Sequence, residues 1–204
     1  VRIIDLRGIY SLSPYSKEEI IARDYIIDEK PDLIINIVDA TNIERNLYLT
    51  TQVIEFGVPV VVALNMMDAV EAKGDKIDIS VIEKYLGVPV VPTAASKGRG
   101  IKELMQRALE VVKESAGKTG LPERKVYDNH VEEALSEVEK IVGENNLHKG
   151  IYNRRWISLK LLEGDEKVKE KLNVSEALME KIKPYQDKLE KEYDNDMETI
   201  IADN

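Results

Sequence analysis

The chain has 204 residues, of which 43% are hydrophobic and 33% charged, a balance typical of a globular protein with one domain or one domain plus a small appendage. It contains no cysteine, which excludes disulfides, thiolate metal sites and cysteine nucleophiles. Its net charge of -9 argues against a general nucleic-acid-binding protein, because neutralising phosphates requires clustered lysine and arginine.

The first residues, Val1–Asp5, are mostly apolar and predict a strand that runs into the sequence Asp5-Leu6-Arg7-Gly8. A carboxylate at the end of a strand can hold a magnesium ion through water, and a glycine lets its backbone N–H approach a terminal phosphate. Asp5 and Gly8 are therefore candidates for these two roles. A plain strand-to-loop turn explains the same residues, since Asp-x-x-Gly alone is a common sequence.

Ser16 and Glu19 have the spacing of a capping box and predict a helix that ends before Pro31. The β-branched stretch Leu33–Val38 predicts a second strand. A helix is then predicted from about Ile43 to Phe56.

The central stretch, Val58–Ala63, contains four valines and no polar alternation, which predicts a strand buried on both faces of a parallel sheet. It leads into Asn65-Met66-Met67-Asp68, at the carboxyl end of the strand, where α/β sheets bind ligands. A carboxylate there can accept hydrogen bonds from the ring N–H and the exocyclic amino group of guanine, a pair of donors that adenine lacks. Asn and Asp also begin turns and cap helices, so the four residues alone leave both interpretations open.

The pattern of strand and helix continues after this motif. Ile79–Leu86 is predicted to be a helix that ends at Gly87, and Val88–Pro92 a further strand. The strand is followed by Thr93–Gly100, a stretch of small residues and glycines whose backbone N–H groups can approach a ligand, and then by a helix at Ile101–Val112. The alternation predicts an α/β fold with a mostly parallel sheet covered by helices on both faces.

Gly117–Pro122 reads as a linker, and the strand signal disappears beyond it. The helical stretches predicted there are Val126–Val142, Arg154–Leu162, a helix that starts at Glu176 and is interrupted or kinked at Pro184, and the tail Lys188–Asn204. The only tryptophan, Trp156, is predicted to be a core residue that joins these helices. The second part of the chain is therefore expected to be a small all-α domain.

Three successive strand exits thus carry Asp-x-x-Gly, Asn-x-x-Asp and Thr-Ala-Ala-Ser. In this order they resemble the motifs of a translation-factor-type GTPase domain, which has a P-loop-NTPase-like fold. Three longer strings more closely resemble the FeoB family of bacterial or archaeal ferrous iron transport proteins: D-L-R-G-I-Y-S-L-S-P-Y-S-K-E-E, V-D-A-T-N-I-E-R-N-L-Y-L-T and R-R-W-I-S-L-K-L-L-E-G-D. The resemblance implies a GTPase domain over 1–116, a linker over 117–122 and a helical domain over 123–204.

The resemblance also implies roles for the motifs: Asp-x-x-Gly senses the γ-phosphate and magnesium, Asn-x-x-Asp reads guanine, and a backbone N–H of the last loop meets the guanine oxygen. The implied nucleotide-binding residues are Asp5, Leu6, Arg7, Gly8, Asn65, Met66, Met67, Asp68, Ala94, Ala95 and Ser96. The implied residues of the second switch region are Ile9, Tyr10, Ser11, Ser16, Glu18 and Glu19. Asp5 is the implied Mg²⁺ residue, acting through water.

The cofactors implied by the resemblance are GTP or GDP, Mg²⁺ and a monovalent cation. The implied partners are guanine nucleotide and the membrane-embedded iron pore of the same parent protein, at the cytoplasmic face of the cell membrane. The helical domain in this family joins the GTPase domain to the membrane part and damps nucleotide release. No nucleic-acid partner is expected, and self-association into a homo-oligomer is left open.

Two features depart from the family pattern. The family usually has proline at Arg7, where an arginine either clashes or lies near phosphate. The phosphate-binding loop, Gly-x-x-x-x-Gly-Lys-Ser/Thr, occurs nowhere in the sequence, and in the family it lies upstream of the strand at which this chain begins. We therefore expect an N-terminally truncated form that binds guanine nucleotide weakly or not at all and hydrolyses it negligibly.

Three functions remain open at this point. The first is the GTPase domain of an iron transporter, which regulates Fe(II) uptake. The second is a degenerate, non-catalytic interaction module, favoured by the missing phosphate loop. The third is a soluble GTPase unrelated to transport, against which the acidic charge and the lack of a basic, aromatic patch argue.

Overall fold

The computed structural model describes residues 1–12, 16–115, 127–147 and 153–203, with side chains as far as Ile201. The chain divides into two compact units, Val1–Leu121 and Pro122–Asn204. The predicted linker, Gly117–Pro122, lies outside the described residues.

The first unit alternates helices and strands, as the sequence predicts. Its elements are α1 (Lys17–Glu29), β1 (Ile34–Asp39), α2 (Ile43–Glu55), β2 (Val60–Asn65), α3 (Met67–Ala72), α4 (Ile79–Leu86), β3 (Val90–Pro92) and α5 (Ile101–Ser115). The three strands form one parallel sheet in the order β1-β2-β3. The predicted α/β fold with a parallel sheet is confirmed.

The core of this unit is centred on β2, whose valines are buried as expected for a strand covered on both faces. On one face Val61, Ala63 and Val91 pack with Leu104 of α5. Helix α2 packs against β1, where the buried Asn36 donates a hydrogen bond from Nδ2 to Thr50 Oγ1 over 2.7 Å. The sheet is therefore held by packing with α5 and by the contacts of α2 with β1.

The Asn36–Thr50 contact gives a first prediction about stability. Changing Thr50 to valine preserves the shape of the side chain but removes the acceptor of the Asn36 amide, which is only 7% exposed. A buried donor without its acceptor costs about 1–3 kcal/mol, and we expect the free energy of unfolding to fall by that amount in urea titrations. The matched control is Thr51→Val, at a half-buried neighbour that bonds only to the backbone of its own helix, and should cost under about 0.5 kcal/mol. Equal losses for both variants would contradict the prediction.

The predicted strand at Val1–Asp5 is wrong for this structure. Val1 and Ile3 are 100% and 68% exposed, and the stretch pairs with none of the three strands. A strand exists only through the ladder hydrogen bonds that it makes with a neighbour, and an apolar sequence does not supply that neighbour. The residues of the Asp-x-x-Gly motif consequently lie outside the sheet.

The second unit is all-α, as predicted. Its helices among the described residues are α6 (Asn129–Glu144), α7 (Arg154–Glu163), α8 (Glu166–Leu172), α9 (Glu176–Tyr193) and α10 (Met197–Asp203). Helix α7 packs against α6, α8, α9 and α10, and its residues from Trp156 to Leu162 are buried. Trp156 is only 2% exposed, which confirms that it is a core residue.

Two details of this unit differ from the sequence prediction. Helix α9 runs without interruption through Pro184, because the buried side chains of Leu178, Ile182 and Leu189 fix the helix on both sides of the missing N–H donor. The expected interruption is therefore wrong, while the alternative of a kink at Pro184 stays a prediction. The short helix α8 was not predicted, since its seven residues are too few for a clear period of apolar positions.

Candidate functional site

The exits of β2 and β3 are joined by the side chain of Asn65. Its Oδ1 accepts a hydrogen bond from the backbone N–H of Ala95 over 3.0 Å and another from Thr93 Oγ1 over 3.2 Å. Asn65 is the last residue of β2, and because neighbouring parallel strands end at one edge, it reaches the loop after β3. Asn65 therefore stabilises this loop through two hydrogen bonds. It does not cap α3, whose N-cap position is Met66.

Asp68 lies in the first turn of α3, three residues after Asn65. Met66 has a φ of 64°, a left-handed conformation that turns the chain sharply out of the strand. The buried Met67 then donates its N–H to the Thr93 carbonyl over 3.1 Å, which ties α3 to the exit of β3. The Asp68 carboxylate is thereby held beside the loop that follows Thr93.

The Asp68 carboxylate is paired with Lys97, whose Nζ lies 3.0 Å from Asp68 Oδ2. Hydrogen bonding to the Lys97 ammonium lowers the pKa of the Asp68 carboxyl below its ordinary value. The side chains are 21% exposed for Asp68 and 67% exposed for Lys97, so the carboxylate is partly shielded while the lysine lies on its solvent side. Asp68 is consequently ionised at neutral pH, with Lys97 as its partner in this structure.

A second ion pair fixes the same loop. Both guanidinium nitrogens of Arg99 donate to Glu71, over 2.9 and 2.8 Å, and this hydrogen bonding lowers the pKa of the Glu71 carboxyl. The backbones of Ala94 and Arg99 form an antiparallel bridge, with N···O distances of 3.0 and 3.2 Å. The loop from Ala94 to Arg99 is thus closed on itself and clamped to α3.

The backbone N–H groups of this loop have different partners. Ala94 is buried and its N–H bonds to Arg99, while the N–H of Ala95 bonds to Asn65. Ser96 is exposed, and no described group accepts a hydrogen bond from its N–H. Ser96 is therefore the first residue of the loop whose N–H is open to a ligand oxygen.

The Asp-x-x-Gly residues lie in a separate group near α1. Asp5, Arg7 and Gly8 are exposed and Leu6 is half-buried. Arg7 Nη1 lies 3.0 Å from Glu18 Oε1, so the guanidinium pairs with the first turn of α1. Among the described residues, no hydrogen bond or ion pair links this group to Asn65 and Asp68.

The segment predicted to be the second switch region is held by Glu19. Its Oε1 accepts from Ser11 Oγ over 2.6 Å, and its Oε2 accepts from the Ser16 N–H over 2.9 Å. Ser16 Oγ in turn accepts from the Glu19 N–H over 3.1 Å, so the predicted capping box is confirmed. Burial alone raises the pKa of Glu19, but the hydrogen bonds from Ser11 and Ser16 outweigh it and lower the pKa.

The same segment also contacts α2. The N–H of the buried Leu12 donates to Gln52 Oε1 over 2.7 Å. The guanidinium of Arg45 lies 3.9 Å from the centre of the Tyr10 ring, a cation–π contact. Ile9 is half-buried. The end of this segment is thus ordered by α1 and α2.

Asp5 has an exposed carboxylate, which is compatible with the predicted magnesium ion held through water. No cluster of three or more His, Cys, Asp or Glu side chains suited to a metal occurs within the ranges that the structure describes. Mg²⁺ commonly uses one or two carboxylates, with waters and substrate phosphates completing its octahedron, and an exposed carboxylate such as Asp5 is compatible with that arrangement.

Thr93, Lys97 and Arg99 belong to the site and were not among the predicted site residues. Lys97 directly precedes Gly98 and Arg99 lies between Gly98 and Gly100, in a loop expected to face a ligand. Two basic residues so close together indicate a loop that can pair with acidic groups, but they do not indicate which acidic groups. Thr93 carries no such signal, because its role depends on the position of Asn65.

Two family models match the chain. The model described as ferrous iron transport protein B matches residues 1–108, and the model described as the FeoB cytosolic helical domain matches residues 127–204. Among curated proteins, the Fe(2+) transport protein A/Fe(2+) transporter FeoB fusion protein of Porphyromonas gingivalis is 45% identical over 170 residues, covering 82% of this chain and 20% of that protein. The Fe(2+) transporter FeoB of Escherichia coli strain K12 is 38% identical over 169 residues, covering 81% and 21%. The chain thus spans about a fifth of the length of these relatives.

Solved structures of NFeoB from S. thermophilus have a similar fold. The structure bound to GDP.AlF4- and K+ matches with a TM-score of 0.85 at 39% identity, covering 98% of this chain and 75% of that one. The mGMPPNP-bound structure matches with a TM-score of 0.83 at 38% identity, covering 98% and 73%. Within the described part of this chain, no helix is both long and apolar enough to cross a bilayer.

Proposed function

Because the chain belongs to the FeoB family of ferrous iron transport proteins, we propose that its first unit reads the guanine base of GTP or GDP. The observation that carries this proposal is the pair of hydrogen bonds that Thr93 Oγ1 and the Ala95 N–H donate to Asn65 Oδ1. They set the Asp68 carboxylate beside a loop that offers the free N–H of Ser96.

The chemistry of these groups is complementary to guanine. The two oxygens of Asp68 accept hydrogen bonds from the ring N–H and the exocyclic amino group, and the Ser96 N–H donates to the base oxygen. Adenine presents an acceptor where guanine has the ring N–H, and a donor where guanine has the oxygen. Binding adenine would therefore leave polar groups of both partners unpaired, which favours guanine strongly.

Phosphate binding has less support within this sequence. No Gly-x-x-x-x-Gly-Lys-Ser/Thr occurs in it, and this motif supplies most phosphate contacts in P-loop enzymes. We therefore propose that the chain alone recognises the base, binds guanine nucleotide weakly and hydrolyses it negligibly. Asp5 would hold Mg²⁺ through water, Leu6, Arg7 and Gly8 would lie at the phosphates, and the segment held by Glu19 would act as the second switch.

The remaining roles belong to the whole protein. We propose that it hydrolyses GTP at the cytoplasmic face of the membrane and regulates the passage of Fe(II) through its own membrane-embedded pore. A monovalent cation assists by analogy with the K+ in the S. thermophilus structure, and we assign it no residue of this chain. The proposed division is a GTPase domain over 1–116, a linker over 117–122 and, over 123–204, a helical domain that slows nucleotide release.

The substitution Asp68→Asn tests base reading. Asparagine presents an N–H donor toward the guanine amino group, so we expect guanosine binding to weaken by at least tenfold. Xanthosine has a carbonyl oxygen in place of that amino group and should bind the variant better than guanosine does. The measurement is the NMR shift of the backbone amides of Asn65, Asp68 and Ser96 during titration with millimolar guanosine, adenosine or xanthosine.

Asp75→Asn is the matched control, because Asp75 is an exposed carboxylate on the loop after α3 and lies outside the proposed site. It should bind guanosine as the unmodified chain does. If guanosine and adenosine shift the same amides equally, or neither shifts them, the base-reading proposal is refuted. The absence of any shift would favour the alternative of a degenerate interaction module.

A further inference from the structure

The carboxylate that would read guanine is already occupied by a cation of the same protein. Lys97 Nζ lies 3.0 Å from Asp68 Oδ2, at the edge where the base would enter. This inference rests on the proposed guanine site. We propose that Lys97 is a tethered counter-ion: its ammonium pairs with the Asp68 carboxylate in the empty site and is displaced when the base binds. Lys97 thereby lowers the affinity for guanine. It also favours bases that donate two hydrogen bonds to Asp68 over bases that donate only one.

The position of Lys97 is fixed by its backbone, whereas its side chain is free to leave. The bridge between Ala94 and Arg99 and the clamp of Arg99 on Glu71 hold the loop on either side of it. The side chain itself is 67% exposed and ends in a flexible, strongly hydrated ammonium group. The ammonium can therefore move into water while the loop keeps its shape.

The two cations of the loop have different functions in this arrangement. Arg99 makes a two-pronged contact with Glu71, which fixes geometry as well as charge. Lys97 makes a single contact, with Oδ2 of Asp68. A lysine ammonium is a point charge and does not form the two parallel hydrogen bonds of a planar guanidinium. Arg99 is therefore a positioning residue of the loop, and Lys97 is the group that exchanges with the ligand.

Guanine has to compete with this contact because it requires both oxygens of Asp68. A base that donates two hydrogen bonds replaces the contact to Lys97 and adds one, whereas a base with a single donor only exchanges one contact for another. The apparent affinity is reduced by the fraction of molecules in which the carboxylate is paired. For a partly exposed ion pair this corresponds to about a two- to fivefold reduction.

Two measurements on the full 204-residue chain test the proposal, with Lys97→Gln as the variant. The first is an NMR titration of the Asp68 side-chain carboxyl carbon without any ligand. We expect a depressed pKa in the unmodified chain and a higher one in the variant. The second is titration with guanosine, for which the variant should bind about two- to fivefold more tightly. Lys84→Gln removes the same charge from an exposed lysine of α4 and should change neither result.

Each outcome has one meaning. A higher Asp68 pKa together with tighter guanosine binding in Lys97→Gln supports the proposal. An unchanged Asp68 pKa, or equal or weaker guanosine binding, overturns it while the guanine site itself stands. If guanosine shifts the amides at Asn65 and Asp68 in neither protein, the proposed function fails, and the competition fails with it whatever the Asp68 pKa.

Discussion

Replacement of Arg155 by methionine is expected to destabilise the second unit by about 3–5 kcal/mol, because it removes the guanidinium that neutralises a buried carboxylate. Arg155 on α7 makes two hydrogen bonds to Glu132 on α6, over 3.0 and 2.7 Å, and the side chains are 14% and 7% exposed. Glu132 also accepts the N–H of Tyr127 over 3.1 Å, so the pair fixes the entrance to α6. Chemical denaturation followed by the fluorescence of Trp156, the only tryptophan, reports on this unit directly.

Two further variants separate the loss of the ion pair from the loss of packing. Lys140→Met breaks an exposed pair with Glu137 on α6 and should cost less than about 1 kcal/mol. The double variant Glu132→Met with Arg155→Met removes both charges and should recover most of the loss, since an apolar pair of similar volume replaces a buried ion pair at little cost. A double variant as unstable as the sum of its two single variants would show that an unpaired charge is not the cause.

Much of the fold was predictable because its signals are local. The valines of β2 specify a buried strand wherever the sheet forms. Ser16 and Glu19 satisfy each other's backbone N–H groups, so the start of α1 is encoded in four residues. Gly87 ends α4 in a left-handed conformation that costs other residues energy. The meeting of Asn65 with the loop after β3 follows from the strands being parallel.

The remaining features depend on contacts that are distant in sequence. Val1–Asp5 has the composition of a strand, but strand formation requires a hydrogen-bonded neighbour, and the described structure provides none. The pairing of Lys97 with Asp68 and of Arg99 with Glu71 depends on how the loop closes through the bridge between Ala94 and Arg99. No local pattern in the loop distinguishes these contacts from those of other surface lysines and arginines.

Gly100 is the residue of this loop at which a side chain has no space, and the substitution Gly100→Ala is expected to cost more than about 3 kcal/mol. Its φ is +80°, and an added Cβ would lie 2.3 Å from the Pro92 carbonyl oxygen, which belongs to β3 and cannot move alone. Gly100 also accepts the N–H of Leu104 in the first turn of α5, so the displacement reaches the helix that covers the sheet. Amide hydrogen exchange of Val62 and Thr93, whose N–H groups bond across the sheet, measures the loss.

Gly98→Ala is the matched control, because Gly98 has a φ of +66° but no atom within 4 Å of an added Cβ. Gly98→Ala places an alanine in a left-handed conformation but brings its Cβ into contact with no other atom. It should therefore lower the free energy of unfolding by about 1–2 kcal/mol. The difference between the two variants therefore isolates the steric contact with Pro92. Because Lys97 and Ser96 lie on the same loop, Gly100→Ala should also weaken guanosine binding more than Gly98→Ala does. Equal protection factors in the two variants would mean that β3 and the loop separate at Gly100 without a loss of stability. That result would contradict a rigid connection between the sheet and the proposed base-reading loop.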